Sequence, residues 1–333
     1  MSAAALVIPP LPAGATFSEP KLARPSAPKE LPLRDYGGYT DINIPTVTWP
    51  EGKKLALNIV LHFEEGAEST PENGDEYSEV LMGETERRPL RAGRDLAIEA
   101  VYEYGTKRGF WRLYDLLESL GFTFSLFACG RAAELTPEIV TKAQDLGAEV
   151  VASGYRFTNY DLVPEEVEAK HIDATLEILK ELSPSKEYPK GFYLERPSIS
   201  SSNLIKQAYE KVGAEWLYDA GVHGDDLPYY SGDGLLQIPH SLDCNDHKFV
   251  DGPGFSSPAD FLEHLTNALE VLLKEGTAGK PKMMTLALHP RLIGRPGRFV
   301  ALKRFLEIVK ATDDIWVCQK QDVANHWKAH HPN

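Results

Sequence analysis

The sequence predicts an α/β protein: one distorted parallel barrel of about seven β/α units, preceded by an extended N-terminal arm. Three observations carry this expectation. From Leu55 onward, short apolar runs alternate with longer amphipathic stretches, so strands and helices take turns along the chain. The apolar runs are continuous, as they are in strands covered on both faces. No shift in composition interrupts the series, so residues 51–333 are assigned to a single barrel domain.

Residues 1–50 are rich in proline and lack periodicity ("PPLPAG", "ARPSAPKELPLRDYGGY", "IPTVTWP"). They read as an arm, either laid on a neighbouring subunit or free over its first ~30 residues. Tyr36, Tyr39 and Trp49 suggest that its later part is pinned by aromatic contacts. "LALNIVL" is the first strand, and "LAIEAVYEYGTKRGFWRLYDLLESLG" the first helix, with Leu113, Leu116, Leu117 and Leu120 at helical spacing and Gly121 as its stop. "FTFSLFACG" follows as a strand, then "TPEIVTKAQDLG" as a helix with a Thr cap, a first-turn Pro and a terminal Gly. "AEVVAS", "KGFYLER", "AEWLYDAG", "LLQIPHSLD", "KMMTLALHP" and "DIWVCQK" continue the strands. Amphipathic stretches such as "VPEEVEAKHIDATLEILKEL" and "PADFLEHLTNALEVLLKEG" separate them.

The formal charge of −14 argues against nucleic acid or an anionic membrane as partner, and leaves a small-molecule substrate. Three scattered cysteines (Cys129, Cys244, Cys318) fit a reducing compartment and give no Cys-rich zinc signature. No apolar run approaches the roughly 18 residues of a membrane span, and the N-terminal segment has no basic region of the secretory kind. A cytoplasmic protein is expected. No G-x-G-x-x-G or P-loop follows any strand, which weighs against nucleotide binding.

In a parallel barrel, chemistry gathers at the C-terminal strand ends. Those ends read "HFEEGAE", "ACGRAAE", "ASGYRF", "LERPS", "YDAGVHGDDLPYY", "PHSLDCND" and "LHPRLIGRPGR". In that order, and together with "RDYGGY", "VYEYGTKRGFWRL" and "DIWVCQKQDVANHW", the chain resembles the polysaccharide deacetylase superfamily, carbohydrate esterase family 4. It is most similar to the cytosolic, allantoinase-like branch that hydrolyses cyclic amides. The resemblance runs from about Arg34 to Trp327 and implies a distorted barrel that cleaves an amide C–N bond. Family members with a metal hold it with an aspartate at the first strand tip and two histidines after the third strand. The matching positions here are Glu65, Ser153 and Phe157, and a phenyl ring binds no metal. No cofactor is therefore expected, a divalent metal being disfavoured.

His289 closes a strand at the position the resemblance gives to a general acid, and an imidazole suits proton transfer. Arg196, in "LERPS", matches an arginine that orients a catalytic carboxylate; a plain salt bridge is the alternative. Glu64 and Glu65 share a tip, but neighbours on an extended chain point to opposite faces. Glu65 is favoured as the pocket acid because it matches the family's aspartate, and Glu64 is kept as a substrate contact or a loop cap. Tyr155 and Arg156 offer a donor and a cation for a developing oxyanion, or else pack in the ordinary way. Trp111, Asp226, Asp243 and Asn245 complete the substrate-binding candidates, Trp111 with core packing as its competing role.

The expected function is hydrolysis of a small cyclic amide, ureide or N-acyl compound by a homo-oligomer, without the usual metal. Two other readings stand beside it: a barrel redirected to non-hydrolytic acid/base chemistry, such as an isomerase or cyclase of secondary metabolism, and an inactive binding protein.

Overall fold

The computed structural model describes residues 37–84 and 92–333, and these form one compact unit. Residues 1–36, on which most of the arm expectation falls, lie outside the described residues. The strands are β1 (Leu55–Phe63), β2 (Ser125–Ala128), β3 (Glu149–Ala152), β4 (Gly191–Phe192), β5 (Tyr218–Asp219), β6 (Tyr229–Tyr230), β7 (Leu236–Gln237), β8 (Lys282–Leu288) and β9 (Ile315–Cys318). The helices are α1 (Leu96–Tyr104), α2 (Phe110–Leu120), α3 (Gly130–Leu135), α4 (Pro137–Asp145), α5 (Glu165–Leu182), α6 (Ser201–Val212), α7 (Pro258–Thr277), α8 (Pro290–Ile293), α9 (Pro296–Lys310) and α10 (Lys320–His330).

The strands join in the order β6–β7–β5–β4–β3–β2–β1–β8, and only the β6–β7 pair is antiparallel. β1 is the hub: it pairs with β8 from Leu55 to Leu61, with β9 over Leu55–Asn58 and with β2 over Val60–Phe63. The expected barrel is a curled half-barrel whose seam is bridged by coil. On the free edge of β8, the amides of Met283 and Ala287 donate to the carbonyls of Asp226 and Cys244 at 2.9 and 3.0 Å. The Thr285 amide donates to Ser241 Oγ at 3.1 Å. These loops satisfy backbone groups that a closing strand would otherwise take.

β1 sorts its residues by parity. Leu55, Leu57, Ile59, Leu61 and Phe63 pack with Phe110, Leu113 and Leu117 in the layer between sheet and helices. Ala56 and Val60 face a second, inner cluster with Phe127, Val151, Tyr193 and Ile238. Val47, Trp49 and Trp327 close that inner cluster, and Trp49 Nε1 donates to the Lys282 carbonyl at 2.9 Å. Fully burying each large apolar side chain of this kind stabilises the fold by about 1.5–3 kcal/mol.

The long first helix has one irregularity. Between α1 and α2 the turn Gly105–Gly109 is a π-helix, and both glycines are required by what they touch. A Cβ on Gly105 would lie 2.3 Å from Glu65 Oε1, and one on Gly109 would lie 2.0 Å from the Pro290 carbonyl. The helix is thereby pressed onto the tips of β1 and β8. Among the described residues, no helix is long and apolar enough to cross a membrane.

Candidate active site

The inner parity of β1 continues past its last paired residue. Ala56, Asn58 and Val60 are followed by His62 and then Glu64, both buried among the ends of the strands. Glu65 falls on the outer parity and slides under the π-turn, against Gly105. The tip of β8 supplies the facing groups. His289 ends the strand, and α8 starts at Pro290, which brings Arg291 back over β1.

Four side chains make the core of the site. Arg291 Nη2 donates to Glu64 Oε2 at 2.8 Å. His289 Nε2 lies 3.8 Å from the same oxygen. On its other side, His289 Nδ1 meets Asp246 Oδ1 at 2.6 Å. The second Asp246 oxygen accepts the amides of His289 and Ile293 at 2.8 and 3.1 Å, so this carboxylate is fixed in place. Asp246 lies one residue after Asn245, whose side chain caps the short 3₁₀ turn Asp246–Phe249 by accepting from the His247 amide. His62 stacks on His289 with ring centroids 4.7 Å apart and planes 9° off parallel. Phe127, Tyr193 and His240 surround its other sides at 5.3–5.4 Å.

The charges follow from these contacts. Burial alone would raise the Glu64 carboxyl, but Arg291, then His289 and His62, outweigh it and hold its pKa at about 2. Burial would lower the His289 imidazolium, yet Asp246 and Glu64 carry it above the usual histidine value. His62 is driven well below that value, first by burial and then by the charge of His289, and is neutral. Glu65 is raised by burial, partly offset by Arg291. Its oxygen receives the Arg291 amide at 3.2 Å, and it walls a cleft of about 250 Å³ together with Glu68, Thr70 and Tyr102.

The structure brings His289 and Glu64 together, while Glu65, the expected pocket acid, lines the neighbouring cleft. Glu64 faces His289, whereas Glu65 is turned away from it. The reason is the two-residue period of the strand, which carries through residue 65 although ladder pairing ends at Phe63. Arg196 lies with its guanidinium 4.5 Å over the Phe157 ring, and Arg291 lies 6.0 Å from that ring. Arg196 is thus one aromatic ring removed from the Arg291–Glu64 pair.

The other candidates are elsewhere. Arg156 spends its guanidinium on the loop after β1, donating to the carbonyls of Ala67, Glu68 and Asn73 and pairing with Asp75. Tyr155 donates to Glu134 at an exposed position. Trp111 donates to the Thr106 carbonyl and packs with Phe110 and Tyr114. Asp226 is exposed at the seam, and Asp243 meets His264 of α7 at 3.2 Å. None of these five is brought to Glu64. Sequence reasoning passed over His62, Asp246 and Arg291. The first had a readable signal: Asn58 and His62 are the polar residues of "LALNIVLHF", and both lie on the parity that the large apolar residues avoid.

The residues present do not fit the metal that the family resemblance implies. Ser153 is a neutral, buried hydroxyl residue whose carbonyl accepts from the Cys129 thiol, and Phe157 offers a phenyl ring. The two first-tip carboxylates are engaged by a guanidinium, Arg291 Nη1 lying 3.6 Å from Glu65 Oε1. Ser153 and Phe157 thus supply no imidazole donor at those two positions, and the donor set that the described residues do bring together beside them is His62, Glu64 and His289.

Comparison with known proteins agrees with this frame. A sequence model of the polysaccharide deacetylases matches residues 93–216. A Schizosaccharomyces pombe protein carrying the polysaccharide deacetylase name is 35% identical over 313 residues, covering 90% of this chain and 98% of that one. The crystal structure of a Pseudomonas aeruginosa protein described as a probable polysaccharide deacetylase superposes with a TM-score of 0.82 at 35% identity, covering 87% of this chain and 96% of the other. That of the Puue allantoinase does so with a TM-score of 0.82 at 36% identity and the same coverage. With its half-barrel and the facing acid and histidine at the tips of β1 and β8, the chain belongs to the polysaccharide deacetylase family.

Proposed function

We infer that the protein hydrolyses the C–N bond of a small cyclic amide, ureide or N-acyl compound, without a metal at the family's position. The observation that carries this reading is the Glu64–His289 pair, 3.8 Å apart, with Asp246 behind the histidine and Arg291 on the glutamate. Likeness to an allantoinase structure supports a cyclic ureide as the substrate class.

Each residue has a distinct task. Glu64 stays ionised and accepts a proton from the attacking water as it adds to the carbonyl carbon. His289, held as imidazolium by Asp246, gives the Nε2 proton to the nitrogen as the C–N bond breaks. A carboxylate with so low a proton affinity is a weak base, so much of the driving force falls to protonation of the leaving nitrogen. Arg291, 2.8 Å from Glu64 Oε2 and 3.6 Å from Glu65 Oε1, supplies a fixed positive charge beside a carbonyl oxygen gaining negative charge. The charge of −14 supports a small-molecule substrate over nucleic acid or a membrane. A cytoplasmic homo-oligomer remains the working form of this proposal.

The test is a hydrolysis screen with hydantoin, allantoin, dihydrouracil and N-acetylglucosamine, using wild type, Glu64→Gln and His289→Ala. We expect turnover of at least one cyclic substrate and a loss of about 10²–10⁴ in kcat in each variant. A wild type inert on the whole panel, or variants that keep their activity, would refute the reading.

A further inference from the structure

Beside the two catalytic groups lies an unassigned side chain whose position asks for a ligand. His62 is 1% exposed, and neither of its ring nitrogens has a hydrogen-bond partner. A neutral imidazole carries one donor and one acceptor, and buried polar atoms are rarely left unpaired. His62 Nδ1 lies 3.9 Å from Glu64 Oε1, and His289 Nε2 lies 3.8 Å from Glu64 Oε2. One ligand atom from each of His62, Glu64 and His289 can be chosen so that all three lie within 4.8 Å of one another. At these separations a single oxygen atom could lie within hydrogen-bond distance of all three groups.

We propose that His62, Glu64 and His289 form the seat of the attacking water, with His62 holding the molecule that a metal would otherwise hold. This inference rests on the hydrolytic reading and adds the residue that positions its nucleophile. In the step, the water oxygen bonds to the carbonyl carbon and one of its protons passes to Glu64. The C–N bond breaks, and the His289 Nε2 proton goes to the nitrogen, leaving a carboxylic acid and an N–H group, on one molecule when the substrate is cyclic; the proton on Glu64 then returns to His289 and restores both groups. His62 neither gains nor loses a proton; it fixes the direction of the water lone pair.

The same triangle has the shape of a two-histidine, one-carboxylate metal site, and local charge decides between the two occupants. The Arg291 guanidinium is already 2.8 Å from Glu64 Oε2. A divalent cation beside that fixed positive charge is repelled, whereas a neutral water is not. Packing alone does not explain a histidine here, since a phenyl ring would fill the space between Phe127, Tyr193 and His289 without burying two unpaired nitrogens.

Crystal structures of the wild type and of His62→Phe, with kinetics on hydantoin, test the proposal. We expect one ordered water within about 2.6–3.2 Å of His62 Nδ1, Glu64 and His289 in the wild type, and no water there in the variant. We expect His62→Phe to lose about 10²–10³ in kcat with KM unchanged, and His62→Asn, which keeps a polar side chain, to recover part of it. The idea fails if the wild-type seat is empty, if anomalous scattering shows zinc, manganese or nickel in it, or if His62→Phe turns over at the wild-type rate. A seated water in a protein inert on the substrate panel sinks the hydrolytic reading and leaves the seat standing. Turnover with no water at the triangle does the reverse.

Discussion

Glu64 and Glu65 are neighbours in sequence, equally buried at 2% exposure, and both within reach of Arg291. They nevertheless end in opposite states. Glu64 turns inward to a guanidinium and two histidines and is held ionised near a pKa of about 2. Glu65 turns outward beneath a glycine turn, where burial outweighs Arg291 and raises its proton affinity. The same side chain becomes a fixed carboxylate or a titratable wall according to strand parity alone. What it teaches is that equal burial does not give equal charge states; the count and closeness of cationic partners separate the two acids.

The sharpest way to break this contrast is to remove each charge in turn. Glu64→Gln is expected to lower kcat by about 10³ or more, and Glu65→Gln by about tenfold or less, read as initial rates on the best substrate of the screen. Equal losses would erase the distinction. Next in size is Asp246→Asn. It removes the charge that lifts His289, so kcat should fall by about 10² and the alkaline limb of its pH profile should move to lower pH. An unmoved limb would separate Asp246 from the proton on His289.

Gly105→Ala tests the outer side. Its Cβ would sit 2.3 Å from Glu65 Oε1 and 2.6 Å from Glu65 Cγ, and we expect destabilisation of about 1–3 kcal/mol in denaturant melts. The variant Gly105→Ala/Glu65→Ala should recover much of that loss, since it removes the clash.

The smallest expected effect concerns Glu68, whose carboxyl burial raises to about 7 from an ordinary 4.5. Between those values the folded state binds more protons than the unfolded chain, so its contribution is complete below about pH 4.5 and is lost as pH climbs through 7. Glu68→Gln, which can still accept the Gly66 amide, should gain stability relative to wild type at pH 8 and little at pH 5. The gain should reach at most about 3 kcal/mol. A larger gain at pH 5 would contradict the sign.

Much of this was legible in the chain. The alternation of apolar runs with amphipathic stretches announced the parallel sheet and its helices, and placed the chemistry at strand tips where His289 and the two glutamates are found. Proline and glycine marked the ends of α4 and α2 correctly, because they act on the backbone at their own positions. Less legible was which tip residues meet. Arg156 and Tyr155 sit on a tip and carry suitable groups, yet one braces a loop and the other reaches Glu134. A side chain's partner depends on residues tens of positions away.

The sequence by itself determined the fold class and the family, because these rest on periodicities and motifs that are local in the chain. It also held the parity of β1, in which Asn58, His62 and Glu64 share a face. The tertiary structure alone decided that Arg291, 227 positions from Glu64, would occupy the cationic place at this tip, and that Asp246 would stand behind His289. The curl of the sheet brings β8 beside β1, and the charge of each group is set by distances that exist only once those two tips meet.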